Sequence, residues 1–159
     1  MADAEAAGLR RVLAGQRRHV LGILDGLPDD ALRRPVLPSG WSCLGLVHHL
    51  AVGVERFWFR SVVAGERLDY PDDDWLVPAE LSADEVFARY RDEAERADAI
   101  LDRTPLDAPP AAWPDWWPDW RYADLSAVLL HVIAETATHA GHLDAVRELI
   151  DGRTWLVVG

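Results

Sequence analysis

The sequence HVIAETATHAGHLDAVRELI at residues 131–150 predicts one long amphipathic helix. At about 100° per residue, Glu135 and His139 share a face with a stripe of apolar residues, namely Val128, Val132, Leu143, Val146 and Ile150. A carboxylate and an imidazole one turn apart on a core-facing stripe need a partner, because a lone buried charge is costly. A divalent cation and a buried arginine are the two candidates for that partner.

Apolar periodicity and capping residues predict four helices, at about residues 4–24, 42–64, 82–103 and 124–151. Ser82 and Glu85 fit a capping box, and Ser42 and Asp124 are suitable N-caps. Strand signals are weak throughout. Helices of this length can span a small bundle, so the sequence predicts an all-α, four-helix bundle in a single domain over residues 1–159. The connections are longer than an up-down bundle needs and permit crossovers between helices.

Composition excludes several classes of function. The net charge is −11, and all 16 basic residues are arginine, which argues against binding to nucleic acid or to anionic membranes. No apolar run approaches a membrane span, and the acidic amino end lacks a signal segment, so a cytoplasmic protein is expected. Cys43 is the single cysteine, so an internal disulfide is impossible. A buried core position is favoured for it over a nucleophilic role.

The second helix brings a histidine to a face that also contains two glycines. On a regular helical wheel His49 shares its face with Ser42, Gly45, Leu46, Val52, Gly53 and Arg56. Glycine inside a helix costs roughly 0.5–1 kcal/mol relative to alanine, so a metal, a substrate or a closely packed helix is expected to use the space. Arg56 on this face could hold an anionic substrate, pair with Glu135 or lie at the surface. Glu55 is expected to point elsewhere, into solvent.

Taken together, His49, Glu135 and His139 offer two imidazoles and one carboxylate. Zn²⁺, Ni²⁺ and Fe²⁺ all accept this ligand set, with the remaining positions open to water or substrate. The Glu-x-x-x-His spacing is a weak signal alone, and a satisfied core histidine is the commoner arrangement. His131 and His142 flank the same stripe and are candidates for a supporting hydrogen bond or a substrate contact rather than for metal ligands.

The segment from residue 109 to residue 122, here called the tryptophan loop, repeats the pattern Trp-Pro-Asp-Trp. Its prolines argue against a regular helix. Its aromatic side chains either cover an end of the bundle or form the wall of a pocket, and the two roles are compatible. Trp116 and Trp117 are the candidates for contact with a bound small molecule.

Two motifs resemble the DinB superfamily of four-helix metalloproteins, and within it the DUF664 branch. They are WSCLGLVHHLA at residues 41–51, followed by VERFWF at 54–59, and LHVIAETATHAGHLDAVRELIDG at 130–152. The resemblance implies that the first metal histidine is His49 rather than His48, and that Glu135 and His139 are the ligands of the last helix. It also implies a crossed connection in the bundle and a homodimer.

The same resemblance implies a function. Characterised relatives include thiol S-transferases that use mycothiol or bacillithiol, and a mycothiol-dependent maleylpyruvate isomerase. We therefore expect a divalent-metal-dependent transferase that activates a low-molecular-weight thiol, mycothiol, for attack on a small electrophile. Arg56, His131 and His142 are the candidates for orienting substrate or moving protons.

Two alternatives stay open at this point: a metal-dependent isomerase or cyclase that consumes no thiol, and a non-catalytic dimeric module that binds small molecules. The chain departs from the branch at the opening of the last helix, which reads DLSAV at residues 124–128, and at Thr138, where arginine is frequent. These departures leave the metal ligands in place and affect the identity of the two substrates.

Overall fold

The structure of the chain, a computed structural model, describes residues 2–155, with side-chain surroundings from residue 4 onward. It contains α1 (Ala2–Leu24), α2 (Asp29–Arg33), α3 (Cys43–His49) with a π-helical continuation (Leu50–Val63), α4 (Ala83–Leu101) and α5 (Leu125–Asp151). Residues 2–155 include no strand, which confirms the predicted all-α bundle. The one-turn helix α2 was not predicted. The tail at 156–159 lies outside the described residues.

The predicted helix boundaries are set by the residues expected to cap them. The Ser42 hydroxyl accepts a hydrogen bond from the Gly45 amide at 3.0 Å. Ser82 and Glu85 form a reciprocal capping box, in which each side chain accepts from the backbone amide of the other residue. The last helix ends at Gly152, whose φ of 76° places it in the left-handed region that terminates helices.

The first and last helices run parallel to each other. His19 contacts Asp144 at 2.7 Å, and one turn further along both helices Arg147 donates to the carbonyl of Ile23 at 2.8 Å.

Within residues 2–155, no helix combines the length and the hydropathy that a bilayer span requires.

The other two long helices also run parallel to each other. Arg89 of α4 lies 3.3 Å from His48, and Arg60 near the end of the π-helical continuation donates to Glu93 at 3.0 Å. Parallel neighbours cannot be joined by a tight turn, so residues 64–82, here called the crossover segment, return along the bundle. This return places Trp75 against α3, where its ring stacks on His49, the last residue of that helix.

Because the helix continues as a π-helix after His49, a wheel of 3.6 residues per turn gives wrong angular positions for the residues that follow. Hydrogen bonds from residue i+5 to residue i widen the helix to about 4.4 residues per turn, or roughly 82° per residue. On that wheel Trp58 lies about 20° from His49, and Arg56 lies about 145° away. Arg56 is therefore turned away from the His49 face, contrary to the prediction.

The expectation that Glu55 is solvated was wrong. Its side chain is fully buried, and it accepts two hydrogen bonds from the Arg17 guanidinium at 2.7 Å. Burial raises the pKa of Glu55, and Arg17 partly offsets this shift. Burial alone would lower the pKa of Arg17, but Glu55 and Asp98 raise it above its ordinary value. This ion pair joins α1 to the π-helical continuation inside the core.

Candidate metal centre

The three predicted ligands lie together where the beginning of the second long helix faces the middle of α5. One donor atom from each of His49, Glu135 and His139 can be chosen so that all lie within 4.8 Å of one another. His139 Nε2 is 3.2 Å from Glu135 Oε1, and His49 Nε2 is 3.8 Å from the same oxygen. The two helices run antiparallel, since His49 lies against His139, whereas Trp58, nine residues later, lies against His131, eight residues before His139.

The geometry of these donors fits a divalent cation. His49 Nε2 is buried and has no hydrogen-bond partner among the described residues, although a buried polar atom normally has one. Two ligands, each about 2.1 Å from a shared cation, are about 3.4 Å apart at the tetrahedral angle. The separations of Glu135 Oε1 from His139 Nε2 and from His49 Nε2, 3.2 and 3.8 Å, are close to this value. Two imidazole nitrogens and a carboxylate oxygen also suit Zn²⁺, Ni²⁺ or Fe²⁺. A cation at this point would give His49 Nε2 the partner that it lacks.

Asp74 of the crossover segment fixes the orientation of His49. Its carboxylate oxygen Oδ2 lies 3.0 Å from His49 Nδ1, and its backbone carbonyl accepts a hydrogen bond from His48 Nδ1 at 2.8 Å. When Nδ1 of His49 carries the proton and donates it to the carboxylate, Nε2 presents its lone pair toward Glu135. The role of Asp74 was not predicted, because this residue lies 25 positions from His49 in a loop without periodicity.

The two helical glycines make room for the crossover segment. A Cβ atom at Gly53 would overlap the Asp74 carboxylate and would lie 2.9 Å from His49 Nδ1. A Cβ atom at Gly45 would lie 2.6 Å from the carbonyl oxygen of Trp75. The space predicted at these glycines is therefore used by a loop rather than by a packed helix. The glycines were the one sequence signal that something approaches His49 closely.

Aromatic and imidazole rings surround the candidate ligands. Trp75 stacks on His49 with ring centroids 4.3 Å apart and meets the His139 ring edge-on at 5.4 Å. His142 Nδ1 lies 3.4 Å from His139 Nδ1, so His142 supports His139 from its exposed side. Burial, together with the nearby His49, lowers the pKa of His139, so its ring is neutral and able to bind a cation at neutral pH.

His131 lies one turn before Glu135 and packs against the aromatic rings of Trp58 and Tyr122. Its ring centroid is 4.6 Å from that of Trp58 and 5.5 Å from that of Tyr122. Burial lowers the pKa of His131, although the Glu135 carboxylate opposes the shift. Burial and the same carboxylate raise the pKa of Tyr122. The predicted catalytic roles of His131 and His142 stay predictions.

Arg56 has a different environment from the one predicted. Its guanidinium carbon lies 5.4 Å from the centre of the Tyr70 ring, and its Nε is 4.0 Å from Glu93 Oε1 of α4. The expected alternative of an ion pair with Glu135 is absent among the described residues, in which the His49 and His139 imidazoles approach that carboxylate. A role for Arg56 in substrate binding stays a prediction.

The tryptophan loop lies against the π-helical continuation, as expected of a segment that covers part of the bundle. The Trp117 ring lies 5.6 Å from the Phe57 ring and 5.2 Å from the Trp58 ring. Between this loop and the crossover segment is a pocket of about 340 Å³, lined by Gly53, Phe57, Trp58, Tyr70, Pro71, Asp72, Asp74, Trp116 and Trp117. The loop therefore forms one wall of a pocket, as one of the two predicted roles requires. Coverage of an end of the bundle, and binding of a small molecule to Trp116 and Trp117, stay predictions.

Comparison with known proteins identifies the family of the chain. None of the curated proteins compared with the chain matches it. The family model for mycothiol S-transferases, in contrast, matches residues 8–152, which include all the helices from α2 to α5 and most of α1. This match agrees with the DinB-superfamily resemblance of the two histidine motifs. The chain belongs to the mycothiol S-transferase family.

Proposed function

We propose that this protein is a divalent-metal-dependent transferase that activates a low-molecular-weight thiol, mycothiol, for attack on a small electrophile. The family match supports the reaction class and the thiol. The observation that supports metal dependence most directly is His49 Nε2, a buried nitrogen that faces Glu135 and His139 and has no hydrogen-bond partner within residues 2–155.

The cation would be held by the Nε2 atoms of His49 and His139 and by the carboxylate of Glu135. Bound there, it would supply Lewis acidity, which lowers the pKa of a thiol and makes thiolate available at neutral pH. Asp74 keeps the His49 ring in the tautomer that the ligand role requires. Glu135 is partly exposed, with 36% of its side-chain surface accessible, and so leaves an opening for the thiol.

The residues of the pocket position the second substrate. Asp74 contacts His49 and also lines the pocket, so a molecule bound there lies next to the candidate metal centre. A substrate bound against the aromatic walls would displace water from the reacting atoms. In the reaction, the thiolate sulfur forms a bond to the electrophilic carbon. The leaving group departs with its bonding electrons, and the thiol proton passes to solvent.

Spectroscopy of metal-loaded protein tests this proposal. Co²⁺-loaded protein is titrated with mycothiol, and the visible absorption of the ion is followed. We expect a charge-transfer change at one equivalent in the wild type, and none in His139→Ala. A small alkyl halide is then added, and the thioether product and remaining free thiol are quantified by mass spectrometry.

The outcome separates this proposal from its alternatives. Thioether formation that depends on the metal supports the transferase. A spectral response to thiol without consumption of the thiol would favour a metal-dependent isomerase or cyclase. No response to thiol in fully loaded protein would contradict the proposal and leave a binding module.

A further inference from the structure

We propose that the pocket beside Asp74 binds a planar aromatic electrophile that carries no negative charge. This inference rests on the proposed function for its chemistry, since it names the substrate class that reacts with the thiol. It is argued from two features of the pocket, namely the arrangement of its rings and the sign of its charges.

The first feature is a set of rings around Phe57. The Trp116 and Trp117 rings lie 5.9 and 5.6 Å from the Phe57 ring, tilted by only 27° and 29°, and Tyr70 meets the same ring edge-on at 5.8 Å. Rings arranged in this way offer faces and edges on which a further flat ring can stack.

The exposure of Trp116 strengthens this argument. Its side chain is 71% exposed, although most indole rings are largely buried. Trp116 stacks on Phe57 with one side and is open on the other, so a flat ligand entering the pocket would cover surface that water now contacts. Burying that surface favours binding of an aromatic molecule over a polar one of equal size.

The second feature is the sign of the charges. Among the described residues that line the pocket, the charged side chains are the carboxylates of Asp72 and Asp74. The nearby cation, Arg56, does not line the pocket. Its guanidinium lies over the Tyr70 ring, 5.4 Å from the ring centre, and its Nε is 4.0 Å from the Glu93 carboxylate. A carboxylate substrate would be repelled by both aspartates, whereas a neutral or cationic ring would not. Aromatic faces also attract cations directly.

Gly53 and Asp74 connect this pocket to the candidate metal centre. Both residues line the pocket, and both lie against the His49 imidazole. An aromatic ring stacked on the open face of Trp116 in this pocket can therefore present a substituent toward His49. A benzylic or ring carbon with a leaving group would be the site of attack.

Calorimetry with unreactive probes of one shape tests the inference on full-length protein without metal or thiol. The probes are N-methylquinolinium, naphthalene-2-methanol and 2-naphthoate, titrated at low ionic strength. We expect the cationic and neutral probes to bind, and 2-naphthoate to bind at least tenfold more weakly. A saturated decalin alcohol is expected to bind at least tenfold more weakly than naphthalene-2-methanol.

Variants locate the binding. Trp116→Ala is expected to lower the affinity for the cationic and neutral probes at least tenfold. Trp120→Ala, in the same loop but outside the lining, is the matched control and is expected to change binding less than twofold. Asp72→Asn is expected to reduce the discrimination against 2-naphthoate.

Three results would overturn the inference: equal or tighter binding of 2-naphthoate, no binding of any aromatic probe, and equal effects of the two tryptophan variants. His139→Ala separates this inference from the proposed function, because it removes a metal ligand but leaves the lining of the pocket intact. Probe binding that survives in His139→Ala while thiol transfer is lost supports both proposals independently.

Discussion

The tautomer of His49 determines whether its Nε2 atom can bind a cation, and a single residue, Asp74, fixes that tautomer. A neutral imidazole has one protonated and one bare nitrogen, and a hydrogen bond at one of them fixes the state of the other. Asp74 accepts at Nδ1, 3.0 Å away, so Nε2 is left bare among Glu135 and His139. The backbone carbonyl of Asp74 also accepts a hydrogen bond from His48 Nδ1 and so fixes the orientation of the His48 ring.

Asp74→Asn is therefore expected to weaken metal binding without unfolding the protein. Replacing a carboxylate that orients a ligating histidine costs about 10–100-fold in metal affinity. Competition with a chromophoric chelator measures the affinity of both proteins. Asp72→Asn, a neighbouring exposed carboxylate without a contact to His49, is the matched control. Equal affinities for wild type and Asp74→Asn would show that Asp74 does not position His49.

Cys43 is expected to react only slowly with alkylating agents in the native protein. It is 1% exposed, and burial raises the pKa of its thiol from 9.0 to about 11. Only thiolate reacts quickly with alkylating agents, so labelling at pH 8 should be slow in buffer and fast in urea. Rapid stoichiometric labelling of native protein would contradict this assignment and reopen a nucleophilic role.

The raised pKa of Cys43 also predicts a pH effect on stability. Between pH 9 and 11 the unfolded state loses the thiol proton while the folded state keeps it, so the free energy of unfolding falls as pH rises. The loss attributable to this thiol is about 1.4 kcal/mol at pH 10. Urea unfolding of wild type and Cys43→Ala at pH 8 and pH 10 measures it, since the variant should lack this component.

At the level of structural elements, the path of the crossover segment and the geometry of the π-helical continuation depend on each other. The segment must return along the bundle because α3 and α4 run parallel, and it reaches His49 only where Gly45 and Gly53 leave space. The wider helix keeps Gly53 on the side of His49 and brings Trp58 there, so the candidate metal centre and the aromatic pocket share a wall. A regular α-helix would have placed Arg56 there instead.

Gly53→Ala is expected to lower metal affinity by about tenfold, because its methyl group takes the place of the Asp74 carboxylate. Gly141→Ala is the control, since a Cβ atom at Gly141 of α5 meets no atom within 4 Å. That variant should keep its metal affinity and gain roughly 0.5–1 kcal/mol of stability from the helical backbone. Similar metal affinities for both variants would show that the space at Gly53 is not needed by Asp74.

The buried pair Arg17–Glu55 fixes the position of α1 against the π-helical continuation. Arg17→Met leaves a buried carboxylate without its partner and is expected to cost about 3–5 kcal/mol in the free energy of unfolding. The double variant Arg17→Met/Glu55→Leu is expected to recover most of that loss. Chemical denaturation measures both. A double variant as unstable as the single one would show that the ion pair itself stabilises the core.

For the whole molecule, the sequence predicted the features that depend on local chemistry. Ser82, Glu85, Asp124 and Gly152 marked the helix ends through capping rules that act within a few residues. The 3.6-residue period of α5 placed Glu135 and His139 on one face, and the structure shows their side chains 3.2 Å apart. These predictions needed only information within one element.

Features that depend on two elements could not be predicted in this way. Asp74 reaches His49 through a loop whose path is determined by the parallel packing of α3 and α4. Glu55 is buried where Arg17 of another helix offers a partner for its carboxylate. The error at Glu55 and the omission of Asp74 therefore share one cause, namely contacts between elements distant in sequence.

The metal content of purified, untagged protein shows whether His49, Glu135 and His139 bind a divalent cation. Wild type, His139→Ala and His142→Ala are reconstituted with Zn²⁺, Ni²⁺ or Fe²⁺, desalted and measured by elemental mass spectrometry. His142 is the matched control, an exposed histidine on the same helix that contacts His139 without being a proposed ligand. We expect close to one metal ion per chain in wild type and in His142→Ala, and a loss of most of it in His139→Ala. Wild-type protein that retains none of the three metals, or a His139→Ala variant that retains as much as wild type, would contradict the account.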